Sequence, residues 1–162
     1  MSVLIKRHIN EDIKTKCWEY LKTHNLANRG TYDGDKTKQY TGLLGEMETY
    51  KLLKGYYPDL NKTIDVKTMG RNYNVKPEWV NNFTKMQKHY KCDILLFTSI
   101  NKKTSYIEFC GWIWKEELDT KAKLYPKGTI RPRGLNDKMP TLVDNYEIRN
   151  DELRNMISLK EI

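Results

Sequence analysis

The chain has 162 residues and a formal net charge of +8, from 29 Lys and Arg against 21 Asp and Glu. This length suits one domain with a core of its own, so we expect no second domain. The positive charge favours polyanionic partners, because it raises their local concentration and because counterions are released on binding. Nucleic acid is therefore the leading candidate partner.

The three cysteines show no Cys-x-x-Cys or Cys/His ligand spacing, so they indicate neither a disulfide framework nor a zinc site. The N-terminus lacks the apolar run of a signal peptide, and no stretch approaches the length of a membrane span. We expect a cytoplasmic protein that does not bind membranes.

The first predicted element is a helix that begins after Asn10 and ends near Ala27. Asn10 is a favourable cap, and Glu11 and Asp12 suit the positive end of the helix dipole. Apolar side chains repeat on one helix face, at Ile9, Ile13, Cys17 and Leu21. We expect this helix to cover one side of a sheet. A polar, glycine-containing loop over residues 28–38 follows it.

A second helix is predicted from Tyr40 to Gly55, since glycine favours a helix end. Four of its residues follow the i, i+3, i+7, i+10 spacing of a single face: Leu43, Glu46, Tyr50 and Leu53. Glu46 is thus predicted to lie in an apolar stripe. Burying an unpaired carboxylate is costly, so we expect Glu46 to face a cation.

The stretch 58–68 puts Asp59, Asp65 and Lys67 in a short, strand-like segment. Its residues alternate, so Asp65 and Lys67 share one strand face while the apolar side chains share the other. Residues 61–63 can close a tight hairpin that would place Asp59 across from Asp65. For Asp-x-Lys alone, a solvated pair on an exposed strand is the ordinary alternative.

A helix with Gly-x-x-Gly-Glu at 42–46, then Pro-Asp at 58–59, then Ile-Asp-Val-Lys-Thr at 64–68 resembles the PD-(D/E)xK nuclease superfamily. This superfamily includes restriction endonucleases, phage exonucleases and Holliday-junction resolvases. The resemblance covers about Gly42 to Trp114. It implies a restriction-endonuclease-like α/β fold, in which helices flank a mixed central sheet. Matched position by position, it assigns catalytic roles to Glu46, Asp59, Asp65 and Lys67.

Three features depart from the family pattern. Only five residues separate Asp59 from Asp65, and the second acid is Asp rather than the commoner Glu. Some members carry Gln-x-x-x-Tyr on the following helix, whereas Gln87-Lys88-His89-Tyr90 is one residue short. No role is therefore carried over to Gln87.

The resemblance implies a metal-dependent DNA endonuclease. Mg²⁺ or Mn²⁺ would be held by hard oxygen ligands, which suit these cations: the carboxylates of Glu46, Asp59 and Asp65 and the main-chain carbonyl of Val66. The metal would activate a water that Lys67 positions, and Lys67 would offset charge in the transition state. Three alternatives stay open: a structure-specific, Holliday-junction-type resolvase, an RNA-directed nuclease, or a non-cleaving nucleic-acid-binding module on the same fold.

After the Asp65 strand, Pro77 favours the start of a helix over about 78–90, with Trp79, Phe83, Met86 and Tyr90 as its buried stripe. The apolar run 93–100 predicts a central strand, and 104–114 predicts the next. A short helix then follows near Leu118, and a final helix is expected over 151–159. The expected order is helix, loop, helix, hairpin, strand, helix, strand, strand, which is typical of a mixed α/β sandwich.

The densest basic run of the chain lies between Lys121 and Lys138, where Asp137 is the single acid. It is either a solvated loop or an extended arm that lies along a phosphate backbone. Its basic residues are Lys121, Lys123, Lys127, Arg131, Arg133 and Lys138. The predicted plan is thus residues 1–38 as N-terminal helix and loop, 40–118 as catalytic core, and 119–162 as basic segment and final helix. A homodimer is what the resemblance implies for cutting both strands.

Overall fold

Two sheets and two long helices make up most of the described chain. The computed structural model describes residues 5–26, 35–131 and 139–162. The strands are β1 (Ile5–His8), β2 (Ile64–Arg71), β3 (Val80–Thr84), β4 (Ile94–Asn101), β5 (Tyr106–Trp114), β6 (Lys123–Tyr125) and β7 (Asn145–Arg149). The α-helices are α1 (Glu11–Thr23), α2 (Lys36–Tyr56) and α3 (Leu118–Lys121). None of the described helices is both long and apolar enough to cross a membrane.

The helix starts follow local capping chemistry. Asn10 caps α1 as predicted, because its side-chain oxygen accepts a hydrogen bond from Ile13 N at 3.0 Å. α2 begins at Lys36 rather than at Tyr40, because Asp35 accepts from Lys38 N at 2.8 Å and supplies the cap. Of the loop predicted over 28–38, residues 28–34 lie outside the described residues, whereas Asp35 caps α2 and residues 36–38 belong to its first turn.

The first sheet is mixed and has the strand order β1-β5-β4-β2, with β2 parallel to β4 and the other pairs antiparallel. The two long helices cover one of its faces, as the sequence predicts for the first helix. The core on this side is apolar and includes Ile9, Cys17, Leu44, Leu52, Val66, Leu96 and Phe109. An α/β class with a mixed sheet is therefore confirmed.

A second, antiparallel sheet packs on the other face of the first, with the order β3-β7-β6. The shared core is formed by Phe83, Tyr146 and Ile148 against Leu95, Phe97 and Ile113. The layers are thus helices, mixed sheet, and second sheet.

Three sequence predictions are wrong at the level of elements. No hairpin precedes β2: Pro58 and Asp59 form a turn, and residues 60–63 are irregular. The helix predicted over 78–90 is instead β3 followed by a 3₁₀ turn at Lys85–Gln87, because β3 pairs with β7 far along the chain. The predicted final helix is two 3₁₀ segments, Asn150–Glu152 and Met156–Glu161, the second capped by Asn155.

α2 approaches β2 at one glycine. A Cβ atom at Gly45 would lie 1.8 Å from Thr68 Oγ1, so no side chain fits there without movement of helix or strand. Thr68 cannot easily turn away, because Thr98 Oγ1 donates a hydrogen bond to Thr68 Oγ1 at 2.9 Å. This contact sets how close the next helix residue, Glu46, comes to β2.

We predict that Gly45→Ala destabilises the protein by about 1–3 kcal/mol, as overpacking of a tight contact does. Gly55→Ala in the last turn of the same helix is the matched control, since a Cβ there meets nothing within 4 Å. Alanine favours a helix interior over glycine, so the control should unfold at an equal or higher temperature. Thermal unfolding followed by circular dichroism measures both, and equal melting temperatures for the two variants would contradict the tight contact.

Candidate functional site

A pocket of about 540 Å³ lies along the edge of β2 that no described strand pairs with. One wall is α2, which contributes Glu46. The opposite wall is β3 and the 3₁₀ turn that follows it, which contribute Asn82, Thr84 and Gln87. The floor is β2 itself, from Ile64 to Met69. Residues from three layers of the fold thus meet at a strand edge.

The main-chain carbonyl of Val66 is directed to this free edge. At the two ends of β2, Thr63 O accepts from Ile94 N at 3.1 Å and Arg71 O accepts from Lys102 N at 2.7 Å. These two carbonyls therefore point toward β4. Carbonyl directions alternate along a strand, so the carbonyls of even-numbered residues such as Val66 point the other way, to the pocket side.

Asp65 and Lys67 share one face of β2, as the alternation predicts. Lys67 Nζ lies 3.0 Å from Asp65 Oδ2, and the two side chains are only 18% and 23% exposed. Lys67 Nζ also donates to Gln87 Oε1 at 2.9 Å and lies 5.1 Å from the centre of the Phe83 ring. The lysine is therefore held in one place by a carboxylate, an amide and an aromatic face.

Glu46 faces the same pocket from α2. Reduced hydration of its carboxyl raises the pKa of Glu46, the Asp65 charge raises it further, and the Lys67 charge opposes both. The three groups are thus close enough to affect each other's charge. Two carboxylates that repel each other beside one lysine form a place where an added cation would be stabilised.

The donor chemistry suits a hard cation rather than a soft one. Burial and then the Asp65 charge raise the pKa of the nearby Cys92 thiol, so this thiol supplies no thiolate at neutral pH. Among the described residues no group of three or more His, Cys, Asp or Glu is arranged to hold a metal. The carboxylates of Glu46 and Asp65, together with the Val66 carbonyl, are the oxygen donors that the motif and the pocket share. Such a set fits Mg²⁺, which is commonly bound by one or two carboxylates and keeps several waters.

The structure does not bring Asp59 into this group. Asp59 is exposed in the turn after α2 and is not among the residues around the pocket. The predicted hairpin that would have placed it opposite Asp65 is absent, because β2 pairs only with β4 among the described strands.

The predicted apolar stripe of α2 is also wrong. Glu46 is exposed along the pocket and Tyr50 is 58% exposed, whereas the buried residues are Leu44, Gly45, Glu48, Thr49, Leu52 and Leu53. The buried carboxylate of α2 is Glu48, which is 1% exposed and has no hydrogen-bond partner among the described residues. Glu46 thus reaches the pocket from the border of the buried face.

Gln87 is a pocket residue for which the sequence predicts no role. Its spacing to Tyr90 does not fit the motif of the resembling family, so no role was expected for it. In the structure its side chain is buried and accepts the hydrogen bond from Lys67. The only sequence signal for it is a polar residue in a segment otherwise predicted as a packing helix.

The predicted basic residues are placed unequally. Lys121, Lys123 and Lys127 are exposed, and Lys121 Nζ lies 3.5 Å from Glu117 Oε1. Arg131 forms an ion pair with Glu147, which is buried, so its guanidinium is already engaged. Arg133 and Lys138 lie outside the described residues.

Comparison with known proteins found no matching family model, no matching curated protein and no matching solved structure. The function is therefore inferred from the residues and their geometry.

We predict that Mn²⁺ or Mg²⁺ stabilises the folded protein through Glu46 and Asp65. At a metal concentration a hundredfold above Kd, linkage contributes about 2.7 kcal/mol, or a shift of roughly 5 °C or more in melting temperature for this size. Glu46→Gln and Asp65→Asn should each lose most of this shift. Asp59→Asn is the matched control, since it removes a carboxylate outside the pocket, and it should keep the shift. Loss of the shift in Asp59→Asn alone would place the metal elsewhere.

A second prediction concerns pH without metal. The pKa of Glu46 is raised in the folded state, so the folded protein holds this proton more tightly than the unfolded chain does. The free energy of unfolding therefore falls as pH rises from the ordinary pKa through the raised one. Glu46→Gln removes this loss. In EDTA the variant should melt above the parent at about pH 8 but level with it at about pH 3.5; an equal difference at both pH values would contradict the assignment.

Proposed function

We propose that this protein is a metal-dependent endodeoxyribonuclease that hydrolyses DNA phosphodiester bonds at the β2 edge pocket. The observation that carries the proposal is the meeting of Glu46, Asp65 and Lys67 there, beside a main-chain carbonyl. These are three of the four positions to which the PD-(D/E)xK resemblance assigns catalysis. Membership of that superfamily and a restriction-endonuclease-like form of the α/β fold belong to the same proposal.

Glu46, Asp65 and the Val66 carbonyl would hold one Mg²⁺ or Mn²⁺. When bound, the ion supplies a Lewis acid and lowers the pKa of a coordinated water. The two carboxylates come from different layers, one on a helix and one on a strand. A cation between them would relieve the repulsion that raises the pKa of Glu46.

Lys67 would act on the substrate phosphate. Its ammonium is preorganised by Asp65 and Gln87, so little reorganisation is needed when negative charge builds up on the phosphate oxygens. Gln87 is a positioning residue in this mechanism, since it orients the ammonium and does not itself contact the reacting atoms. The face of Phe83 shields the other side of the ammonium from water.

The net charge of +8 supports a polyanionic substrate. Duplex DNA, branched DNA of the Holliday-junction type and RNA all share the phosphodiester chemistry. A homodimer would present two such pockets to two backbones, which suits a double-strand cut or a resolvase.

The second candidate function is a nucleic-acid-binding module that does not cleave. It is favoured by the position of Asp59 outside the pocket and by the lack of a group of three potential metal-ligating side chains among the described residues. Both candidates predict binding to nucleic acid, and only the nuclease predicts metal-dependent hydrolysis.

We predict that Lys67→Met lowers the cleavage rate by on the order of 10²- to 10³-fold, as loss of one preorganised electrostatic group does. Methionine keeps an apolar stem against Phe83 and removes only the charge, so folding and DNA binding should persist. Lys160→Ala, an exposed lysine on the last 3₁₀ segment, is the charge-matched control and should cleave at the parental rate.

The assay incubates supercoiled plasmid, linear duplex, a four-way junction, single-stranded DNA and RNA with protein, with Mg²⁺, Mn²⁺ or EDTA. Metal-dependent cleavage of any one substrate by the parent and not by Lys67→Met supports the nuclease. Parental binding without cleavage of any substrate would support the binding module instead.

A further inference from the structure

The chain that follows β6 folds back over the outer face of the second sheet. Its described parts are residues 126–131 and 139–144, here called the covering segment. They run antiparallel: Gly128 N donates to Thr141 O at 2.8 Å, Thr141 N donates to Thr129 O at 2.9 Å, and Ile130 bridges Pro140. The two ends of the covering segment are thus fastened to each other.

The covering segment is anchored to β7 by a buried charge. Glu147 is 4% exposed, and Arg131 of the covering segment forms an ion pair with it. A buried carboxylate needs such a partner, and removal of either partner leaves an uncompensated charge. Within the covering segment, Lys127 N donates to Asp144 Oδ1 at 2.7 Å, which joins its two described parts just before β7. Arg131 therefore fixes the position of the segment and is not free to bind phosphate.

The register of the second sheet connects this segment to the pocket. Asn82, Glu147 and Lys123 lie opposite one another across β3, β7 and β6, and side chains opposite one another share a sheet face. Asn82 lines the pocket. Adjacent strands are about 4.8 Å apart, so the backbone of Lys123 lies roughly 10 Å from that of Asn82, a span of about three base-pair steps of 3.4 Å along a DNA helix axis.

The exposed charged side chains of residues 122–131 are all positive. Lys123 and Lys127 are exposed, and residues 120–131 contain no acid. Arg131 is paired with the buried Glu147 and is only 21% exposed, so these two lysines are the exposed cations of residues 122–131.

We infer that the covering segment and β6 form a phosphate-binding surface that continues from the pocket. Lys123 and Lys127 contact the backbone of DNA beyond the cleavage point, and the Arg131–Glu147 ion pair positions Lys127 for that contact. This inference rests on the proposed function for the identity of its ligand. It assigns Arg131 a positioning role in place of the phosphate contact that the sequence predicts.

The first test measures binding of a fluorescein-labelled 20-base-pair duplex by anisotropy in EDTA, where metal-dependent cleavage is absent. For Lys123→Ala/Lys127→Ala, we expect the slope of log K against log salt to become shallower by about two, at roughly one per lost phosphate contact. Lys54→Ala/Lys160→Ala is the matched control, because it removes two exposed lysines away from the pocket and lowers the net charge equally. Equal slopes for the two double variants would overturn the inference.

The second test uses Glu147→Gln, which raises the net charge by one. If Glu147 acted only through its charge, DNA binding would tighten. If the ion pair positions Lys127, binding should weaken by several-fold and the salt slope should become shallower, while protease cleavage within 126–131 and 139–144 speeds up. Tighter or unchanged binding by a folded Glu147→Gln protein would overturn the positioning role. Should this variant fail to fold, Arg131→Lys alters the geometry of the ion pair at constant net charge, so weaker binding supports the positioning role and unchanged binding overturns it.

The two proposals fail separately. In the first case, the parent binds duplex with a salt slope that depends on Lys123 and Lys127 but cleaves no substrate with metal. This result supports the phosphate-binding surface and contradicts the nuclease. In the second case, the parent cleaves, and the Lys123→Ala/Lys127→Ala variant binds like the Lys54→Ala/Lys160→Ala control. This result supports the nuclease and contradicts the phosphate-binding surface.

Discussion

The close approach of α2 to β2 at Gly45 is the contact on which the pocket depends. Because Thr68 occupies the space that any side chain at this position would need, the helix lies directly on the strand. The next residue along the helix, Glu46, is therefore brought to the strand edge where Asp65 and Lys67 emerge. The other face of β2 packs against the second sheet. There Lys67 contacts Phe83 of β3 and Gln87 of the 3₁₀ turn that follows β3. Glu46 of the helix and the Asp65–Lys67 pair of the strand are thus brought to one edge by the packing of Gly45 against Thr68. No ion pair between the helix and the strand is needed to place them there.

Elements with local signals could be predicted from the sequence. Asn10, as a favourable side-chain cap, predicts the start of α1. The apolar run near 93–100 predicts β4, which is buried along its whole length. The face shared by Asp65 and Lys67 also follows from period-two alternation alone. The face of α2 did not follow from its sequence, because its buried residues include Gly45, Thr49 and Glu48. When a helix packs through a glycine and polar side chains, its buried and exposed faces differ little in hydrophobicity. The spacing of apolar residues then does not identify the buried face.

The second sheet could not be predicted, because its pairing is remote in sequence. In β3, Val80 and Asn82 lie on one face, and Asn81 and Phe83 lie on the other. Each face thus combines an apolar with a polar residue, and the alternation that predicts a strand is missing. Its identity as a strand comes from β7, whose residues lie more than sixty positions further along. Pro77 and the spacing of Trp79 and Phe83 favour a helix locally, and tertiary pairing overrides that preference. Asn82 and Gln87 were not predicted as pocket residues for the same reason, since Asn82 lies in β3 and Gln87 in the turn that follows it.

The charges of the pocket and of the whole protein have different consequences. With both carboxyls ionised, Glu46, Asp65 and Lys67 sum to −1, although the chain as a whole carries +8. The net positive charge therefore favours a polyanion whether or not metal is present, while these three groups repel a phosphate. One divalent cation changes their sum to +1 and turns repulsion into attraction at the same place. Under the proposed function, binding to the protein and entry of a phosphate into the pocket would therefore be separate steps, and only the second would depend on the metal. DNA would then be held along the protein surface while its backbone stays out of the pocket until the cation is in place.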